Sequence, residues 1–159
     1  MEILDSGSRT EFPSGAVRDV QADSKGRCDL LPLDVVAVCL RNPVIAHLAK
    51  FQEDGDTQHL YDALDVFCTQ RHFTDKETMM LEVAIHFSDG AKKYSENNWR
   101  LGIPAARYLD SSVRHLLKHL RGDEDEPHHR SFCWNVMCCI WTCKNKPWLN
   151  DYAGNEGAD

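Results

Sequence analysis

The sequence predicts an all-α fold, a helical bundle of about five to six helices behind an extended N-terminal arm. Three observations carry this reading. Apolar residues recur at spacings of three and four from about residue 33 to residue 143. Helix start and stop residues bracket each periodic stretch, and no run alternates apolar and polar residues as a half-buried strand would.

The first 33 residues carry Gly, Ser, Pro and scattered charges without a sustained period, so they read as an arm with neither helix nor strand. Leu33, Val35, Val36, Val38 and Leu40 predict a short helix that stops near Arg41, because the residue before Pro43 disfavours helical angles. Asn42 then caps a second helix with Pro43 at its first position, and Val44, Ile45, Leu48 and Phe51 form its apolar stripe. After the turn Glu53-Asp54-Gly55-Asp56, Thr57 opens a third helix on Leu60, Tyr61, Leu64, Phe67 and Cys68, running out near His72.

Thr74-Asp75-Lys76-Glu77 is a capping-box pattern that predicts a helix over 75–92. A loop around Asn97-Asn98-Trp99 follows, and Pro104 starts a helix that Gly122 ends. Beyond the acidic loop Gly122-Asp123-Glu124-Asp125-Glu126, Pro127 starts a final helix that is apolar nearly all round and belongs in the middle of the bundle. The expected organisation is an arm over 1–33, one helical domain over 34–146 with a helical insertion at 34–73 and the chemistry-bearing helices at 74–143, and a loose tail over 147–159.

At 159 residues with 42% hydrophobic and 27% charged composition the chain suits one domain. Eighteen Lys and Arg against 25 Asp and Glu leave a formal charge of −7, which argues against duplex nucleic acid as a partner. No stretch is apolar enough for a membrane, and Met1-Glu2-Ile3-Leu4-Asp5 lacks the basic start of a signal peptide. Seven cysteines are an odd number without a disulfide framework or a CxxC pair, so a reducing, cytoplasmic setting is expected and structural zinc is not.

Two polar stripes could carry chemistry. On the helix after Thr74, Glu82, His86, Asp89 and Lys93 share one side; carboxylates stacked this way repel unless cations lie between them, and oxygen ligands suit Mg²⁺ or Mn²⁺. The same spacing fits a solvated polar face. On the helix after Pro104, Asp110 leads Arg114, Lys118 and Arg121, with His115 beside Arg114; such a row can hold successive phosphates, or simply form an i,i+4 ion pair on the surface. Asp123, Asp125 and His128 could complete a metal shell, while helix-dipole stabilisation and core hydrogen bonding explain them equally. Asn98 and Trp99 could read or stack on a base; a loop Trp also serves as an apolar plug. P-loop, GxSxG and HExxH motifs are missing.

Phe12-Pro13-Ser14-Gly15-Ala16-Val17-Arg18-Asp19, Lys25-Gly26-Arg27-Cys28-Asp29-Leu30-Leu31-Pro32, Asp89-Gly90-Ala91-Lys92-Lys93-Tyr94, Asn98-Trp99, Gly102, Arg114-His115, Gly122-Asp123, His128 and Trp134-Asn135 together resemble the dATP/dGTP diphosphohydrolase family of phages and prophages. The resemblance implies an all-α fold related to MazG-like nucleoside triphosphate pyrophosphohydrolases, which cleave a purine deoxynucleoside triphosphate to the monophosphate and pyrophosphate with Mg²⁺ or Mn²⁺. It implies work in nucleotide-pool remodelling, in the host cytoplasm if phage-encoded, by a homo-oligomer. MazG-type enzymes carry ExxE and ExxD acid clusters; the corresponding stretches here offer Glu82, His86 and Asp89, then Asp110.

Carried onto this chain, the resemblance casts Glu82, Asp89 and Asp110 as the catalytic acids, and Glu82, His86, Asp89, Asp110, Asp123, Asp125 and His128 as the pool of metal ligands. Lys25, Arg27, Lys93, Asn98, Trp99, Arg114, His115 and Lys118 would contact the substrate. A nucleotide sensor without turnover and a helical interaction module are the alternatives.

Overall fold

The computed structural model describes residues 7–21, 23–72 and 75–154. The described residues form an all-α bundle of six helices with one two-stranded sheet. That sheet corrects the reading of the arm as strandless. Strands β1 (Arg9–Glu11) and β2 (Val17–Asp19) pair antiparallel, with Arg9 opposite Asp19 and Glu11 opposite Val17. Gly15, at φ 89°, closes the turn by donating to the Phe12 carbonyl at 2.8 Å.

Three-residue strands are too short to show alternation, and an isolated hairpin of this size is not stable by itself. Its support is tertiary. The Asn98 side chain accepts from Val17 N and donates to Val17 O, both at 2.8 Å, so it pairs with β2 as a neighbouring strand would. Ser14 Oγ donates to the Gly102 carbonyl, and Ala16 is fully buried.

Short 3₁₀ turns at Asp23–Lys25 and Cys28–Leu30 lead into α1 (Leu33–Leu40). Gln52 stitches this entry to α2 (Pro43–Asp54), donating to the carbonyls of Asp29 and Leu31 at 2.9 and 2.8 Å. Asn42 caps α2 as its sequence position predicts, accepting from Val44 N and Ile45 N. Helix α3 (Thr57–Phe67) is capped by Asp56 and continues into a π-helical turn at Cys68–His72. Helices α1 to α3 share the core with the rest of the chain through Phe67, whose ring centroid lies 4.7 Å from that of Phe132.

Helix α4 (Lys76–Lys93) is capped by Asp75, which accepts from Thr78 N at 2.6 Å; Thr74, expected as the cap, lies outside the described residues. Helix α5 (Ala105–Arg121) ends at Gly122, and α6 (His128–Asn145) packs against α3, α4 and α5. Its burial all round explains the clustered cysteines: Cys133, Cys138, Cys139 and Cys143 are core side chains, and desolvation holds the first three well above ordinary thiol pKa values. All seven cysteines are free thiols. No helix of the described residues is long and apolar enough to cross a membrane.

The tail, expected to be loose over 147–159, is docked as far as Ala153, and residues 155–159 lie outside the described residues. Asp151 accepts from Ala106 N at 2.7 Å and so caps α5, Asn150 donates to the Gly55 carbonyl at 2.9 Å, and Tyr152 packs edge-on against Phe51. Composition flagged this segment as irregular, but irregular backbone docks well when its polar groups find partners.

Gly55 carries two constraints: φ is 71°, and a Cβ there would stand 2.6 Å from Ala153 N. Gly55→Ala should therefore lower stability by about 2–3 kcal/mol, from left-handed strain plus displacement of the tail. Urea denaturation of the two proteins measures it.

Candidate functional site

A cleft of about 760 Å³ lies between β2, the C-terminal end of α4, the loop after it, α5 and the start of α6. The arm forms one wall because α5 carries a buried carboxylate. Asp110, 2% exposed, accepts from Cys28 N at 2.7 Å, from Gln21 Nε2 at 2.7 Å and from Arg114 Nη2 at 2.6 Å. Arg114 also donates to the Gly26 carbonyl, and Arg107 donates to Gln21 Oε1 at 2.7 Å and to the Asp19 carbonyl at 2.9 Å. Asp110 thus anchors the arm, and its oxygens are engaged by three donors.

Six cationic side chains line the cleft, Arg18, Lys25, Lys93, Arg107, Arg114 and Lys118, against the four acids Asp19, Glu96, Asp110 and Glu126. Asp19 is held by Arg9, Lys93 and Tyr94, whose hydroxyl it keeps from ionising: burial, then the Asp19 charge, raise the Tyr94 pKa to about 12. Burial first, and then the neighbouring Arg18 charge, lower the pKa of Arg107.

Arg18 reaches the cleft floor, where Nη2 donates to Ser111 Oγ at 2.9 Å and Asn135 Oδ1 at 2.8 Å, beside the rings of Tyr108 and Trp134. Its Nη1, Arg114 Nε, Trp134 Nε1, His86 Nδ1 and Ser131 Oγ are buried with no hydrogen-bond partner among the described residues. All five belong to side chains that line this one cleft. Buried polar atoms cost free energy unless paired, so this cleft concentrates polar groups that want partners.

The acids expected to hold metal do not form one group. Glu82 lies 3.8 Å from Arg130 Nη1 and 3.5 Å from His129 Nε2, and Asp89 lies 3.7 Å from Arg130 Nη2. Neither lines the cleft. The cation that two stacked carboxylates require is supplied here by Arg130 from α6. His86 faces the cleft between them, next to Trp134. Asp123 is bidentate to Arg121 at the surface.

Acidic and histidine side chains that could hold a metal ion do converge elsewhere. His115, Glu126 and His128 bring one ligand atom each together, and Asp123, Asp125 and His128 form a second, more exposed set. The first borders the cleft through His115 and Glu126. Among the described residues, ligand atoms converge at His115, Glu126 and His128 and at Asp123, Asp125 and His128, whereas Glu82, Asp89 and Asp110 are not grouped in this way.

Among the expected substrate contacts, Lys25, Lys93, Arg114, His115 and Lys118 line the cleft, as do Asn98 and Trp99. Both amide groups of Asn98 are committed to Val17, and Trp99 packs against Phe87 and Trp141 with Arg100 over its face. Arg27 is paired with Asp29 and lies outside the cleft lining. Sequence reasoning missed Arg18, Arg107 and Arg130. The first lies in the Val17-Arg18-Asp19 segment, where a lone Arg in an arm carries no periodic signal; the others sit on helices but meet distant partners, Arg107 in the arm and Arg130 on α4.

Residues 76–152 match the family model described as dATP/dGTP diphosphohydrolase, N-terminal. That segment is similar to the dATP/dGTP diphosphohydrolase family. No curated protein and no solved structure matches the chain. The family segment spans α4 to the docked tail and contributes His86, Lys93, Arg107, Arg114, Trp134 and Asn135 to the cleft, while Arg18, Gln21 and Lys25 come from the arm that precedes it. The description of the family is that of a hydrolase.

Asp110→Asn should cost about 3 kcal/mol, because it leaves the Arg114 charge buried without its counter-ion. The expected signs are a fall in Tm on the order of 10 °C and faster tryptic cleavage at Lys25 and Arg27. Burial, then the Arg130, Arg18 and Lys93 charges, push the His86 pKa down to about 3. The unfolded chain therefore binds a proton that the native chain refuses: stability is complete above pH 6.5 and falls as pH drops from there toward 3. The loss is at most about 1.4 kcal/mol per pH unit from this group. His86→Phe should flatten the pH dependence of the urea midpoint in that window.

Proposed function

We propose that this protein hydrolyses a purine deoxynucleoside triphosphate, dATP or dGTP, to the monophosphate and pyrophosphate. The observation that carries this reading is the set of unpartnered buried donors, Arg18 Nη1, Arg114 Nε and Trp134 Nε1, on one cation-lined cleft. A triphosphate brings oxygen acceptors in a row and several negative charges, which is what such a cleft lacks. Arginine suits this task because its planar fork binds phosphate oxygens in pairs. The family description supplies the purine deoxynucleotide and the diphosphohydrolase reaction.

In this reaction water adds across the α–β phosphoanhydride. The water oxygen bonds to the α-phosphorus, and pyrophosphate leaves with the electron pair of the broken P–O bond. Arg18 and Arg114 hold and neutralise the phosphate oxygens, with Lys93, Lys118 and Arg107 adding positive potential around them. Tyr108 and Trp134 set the Arg18 guanidinium against their rings, so it meets the substrate already oriented. Lys25, on the arm, closes the cleft from the other side. A divalent ion, Mg²⁺ or Mn²⁺ in the expected reaction, would supply charge neutralisation at the phosphates and a bound water of lowered pKa. His115, Glu126 and His128 would hold a divalent ion at the cleft rim, and their two nitrogen donors would favour Mn²⁺ over Mg²⁺.

The commitment of Asp110 to the arm, and of Glu82 and Asp89 to Arg130, favours a second reading: a nucleotide-binding protein without turnover. Such a protein would act in the nucleotide pool as a sensor. The exposed Met80, Leu81 and Ile85 on α4 support assembly into a homo-oligomer.

Incubation with each dNTP, ATP and GTP, in Mg²⁺, Mn²⁺ or EDTA, followed by chromatography of nucleotide and pyrophosphate, tests the reading. Metal-dependent monophosphate plus pyrophosphate from a purine deoxynucleotide is the expected result; nucleotide binding with no product would leave the sensor. Arg18→Gln should lower kcat/KM about 100-fold and abolish the nucleotide-induced rise in Tm.

A further inference from the structure

The loop between α5 and α6 brings three ligand atoms to one point at the cleft rim. His115 Nδ1 lies 2.9 Å from His128 Nδ1 and 3.3 Å from Glu126 Oε1, and His128 Nδ1 lies 3.7 Å from the same oxygen. A tetrahedral ion bound at roughly 2.0–2.1 Å by nitrogen and oxygen holds its ligands about 3.3 Å apart, and these three separations bracket that edge. His115 comes from α5, His128 from the first turn of α6 and Glu126 from the loop, so no helix periodicity places them together.

We propose that His115, Glu126 and His128 form a three-ligand site for a borderline divalent ion such as Zn²⁺ or Co²⁺, with its remaining coordination position open to the cleft. Asp125 completes the arrangement from outside: its carboxylate lies 2.6 Å from His128 Nε2, so that nitrogen carries the proton and the lone pair of Nδ1 faces the other two ligands. This carboxylate–histidine pairing fixes the ring and its tautomer, as outer partners of metal-bound histidines do. His128 is 1% exposed in its side chain and Glu126 13%, so the site is held by the fold rather than assembled from solvent.

Two imidazole nitrogens and one carboxylate disfavour Mg²⁺, which demands near-octahedral oxygen and keeps its water. The site should therefore rank Zn²⁺ and Co²⁺ above Mn²⁺, with Mg²⁺ weakest. The proposal concerns the metal of the hydrolytic reading above but stands on metal binding alone, so it is measured without nucleotide. Turnover is scored separately: binding here without hydrolysis overturns only the enzyme reading, and hydrolysis without binding here overturns only the site.

The test is titration of chelator-treated, reduced protein with CoCl₂, read in the visible spectrum, followed by displacement with ZnCl₂ and a thermal-shift readout. One equivalent should bind with ligand-field bands of a four- or five-coordinate ion and no sulfur-to-cobalt charge-transfer band. His115→Gln and Glu126→Gln should weaken binding at least ~10-fold, and Asp125→Asn about 10-fold, as loss of an outer partner does. Asp123→Asn should leave binding unchanged.

Binding that survives His115→Gln and Glu126→Gln overturns the proposal, as does thiolate charge transfer, equal affinity for Mg²⁺, or no binding by the folded protein. If either variant fails to fold by circular dichroism, the imidazole resonances of the unaltered protein decide. Those of His115 and His128 must move together on adding ZnCl₂, and movement of neither refutes the site.

Discussion

A buried carboxylate on α5 organises this molecule. Asp110 takes hydrogen bonds from the Cys28 backbone, from Gln21 and from Arg114, and those three donors come from two segments of the arm and from the next turn of its own helix. A charge 2% exposed is tolerated only when fully paired, so the arm must lie down on α5 for the helix to be stable there. Once it lies down, Arg18, Asp19, Gln21 and Lys25 become a wall of the cleft. Fold stability and the shape of the binding site are thereby the same constraint.

The cleft shows how a chain of net charge −7 assembles a locally cationic surface. Two of its four acids are engaged in place: Asp19 by Arg9, Lys93 and Tyr94, and Asp110 by its three donors. The cations are left with donor atoms to spare, Arg18 and Arg114 among them. Low local polarity around Trp134 and Tyr108 strengthens what those donors can do, because charge interactions are screened less away from water. Overall charge and local potential are therefore separate properties of this protein, and only the second bears on a phosphate ligand.

Helix α6 sits at the junction of these features. Its first turn holds His128 for the rim and supplies Ser131 to the cleft, its second supplies Trp134 and Asn135, and Arg130 bridges to the α4 acids Glu82 and Asp89. The opposite faces of the same helix bury Phe132, Val136, Cys139 and Cys143 in the core. A helix buried all round has no spare surface to yield, so its polar side chains are held in position by packing on every side.

The helical class, the six helical segments, the Asn42 cap, the stop at Gly122 and the central place of the last helix were legible in the sequence. Each depends on spacing or capping within a few neighbours. The hairpin was not, because two three-residue strands owe their pairing to Asn98, some eighty residues away. The docked tail was not, because its partners are Gly55 and Ala106. At the site, periodicity placed Glu82 and Asp89 on one face and required a cation between them, but could not say that Arg130 would be that cation. It likewise placed Asp110 beside Arg114, without showing that the arm would take up its other oxygen. The sequence by itself determined which faces are apolar and where helices begin and end, since those are local properties of the chain. Tertiary structure alone decided which charges meet, because a short-range interaction between distant residues exists only once the core has brought their helices together.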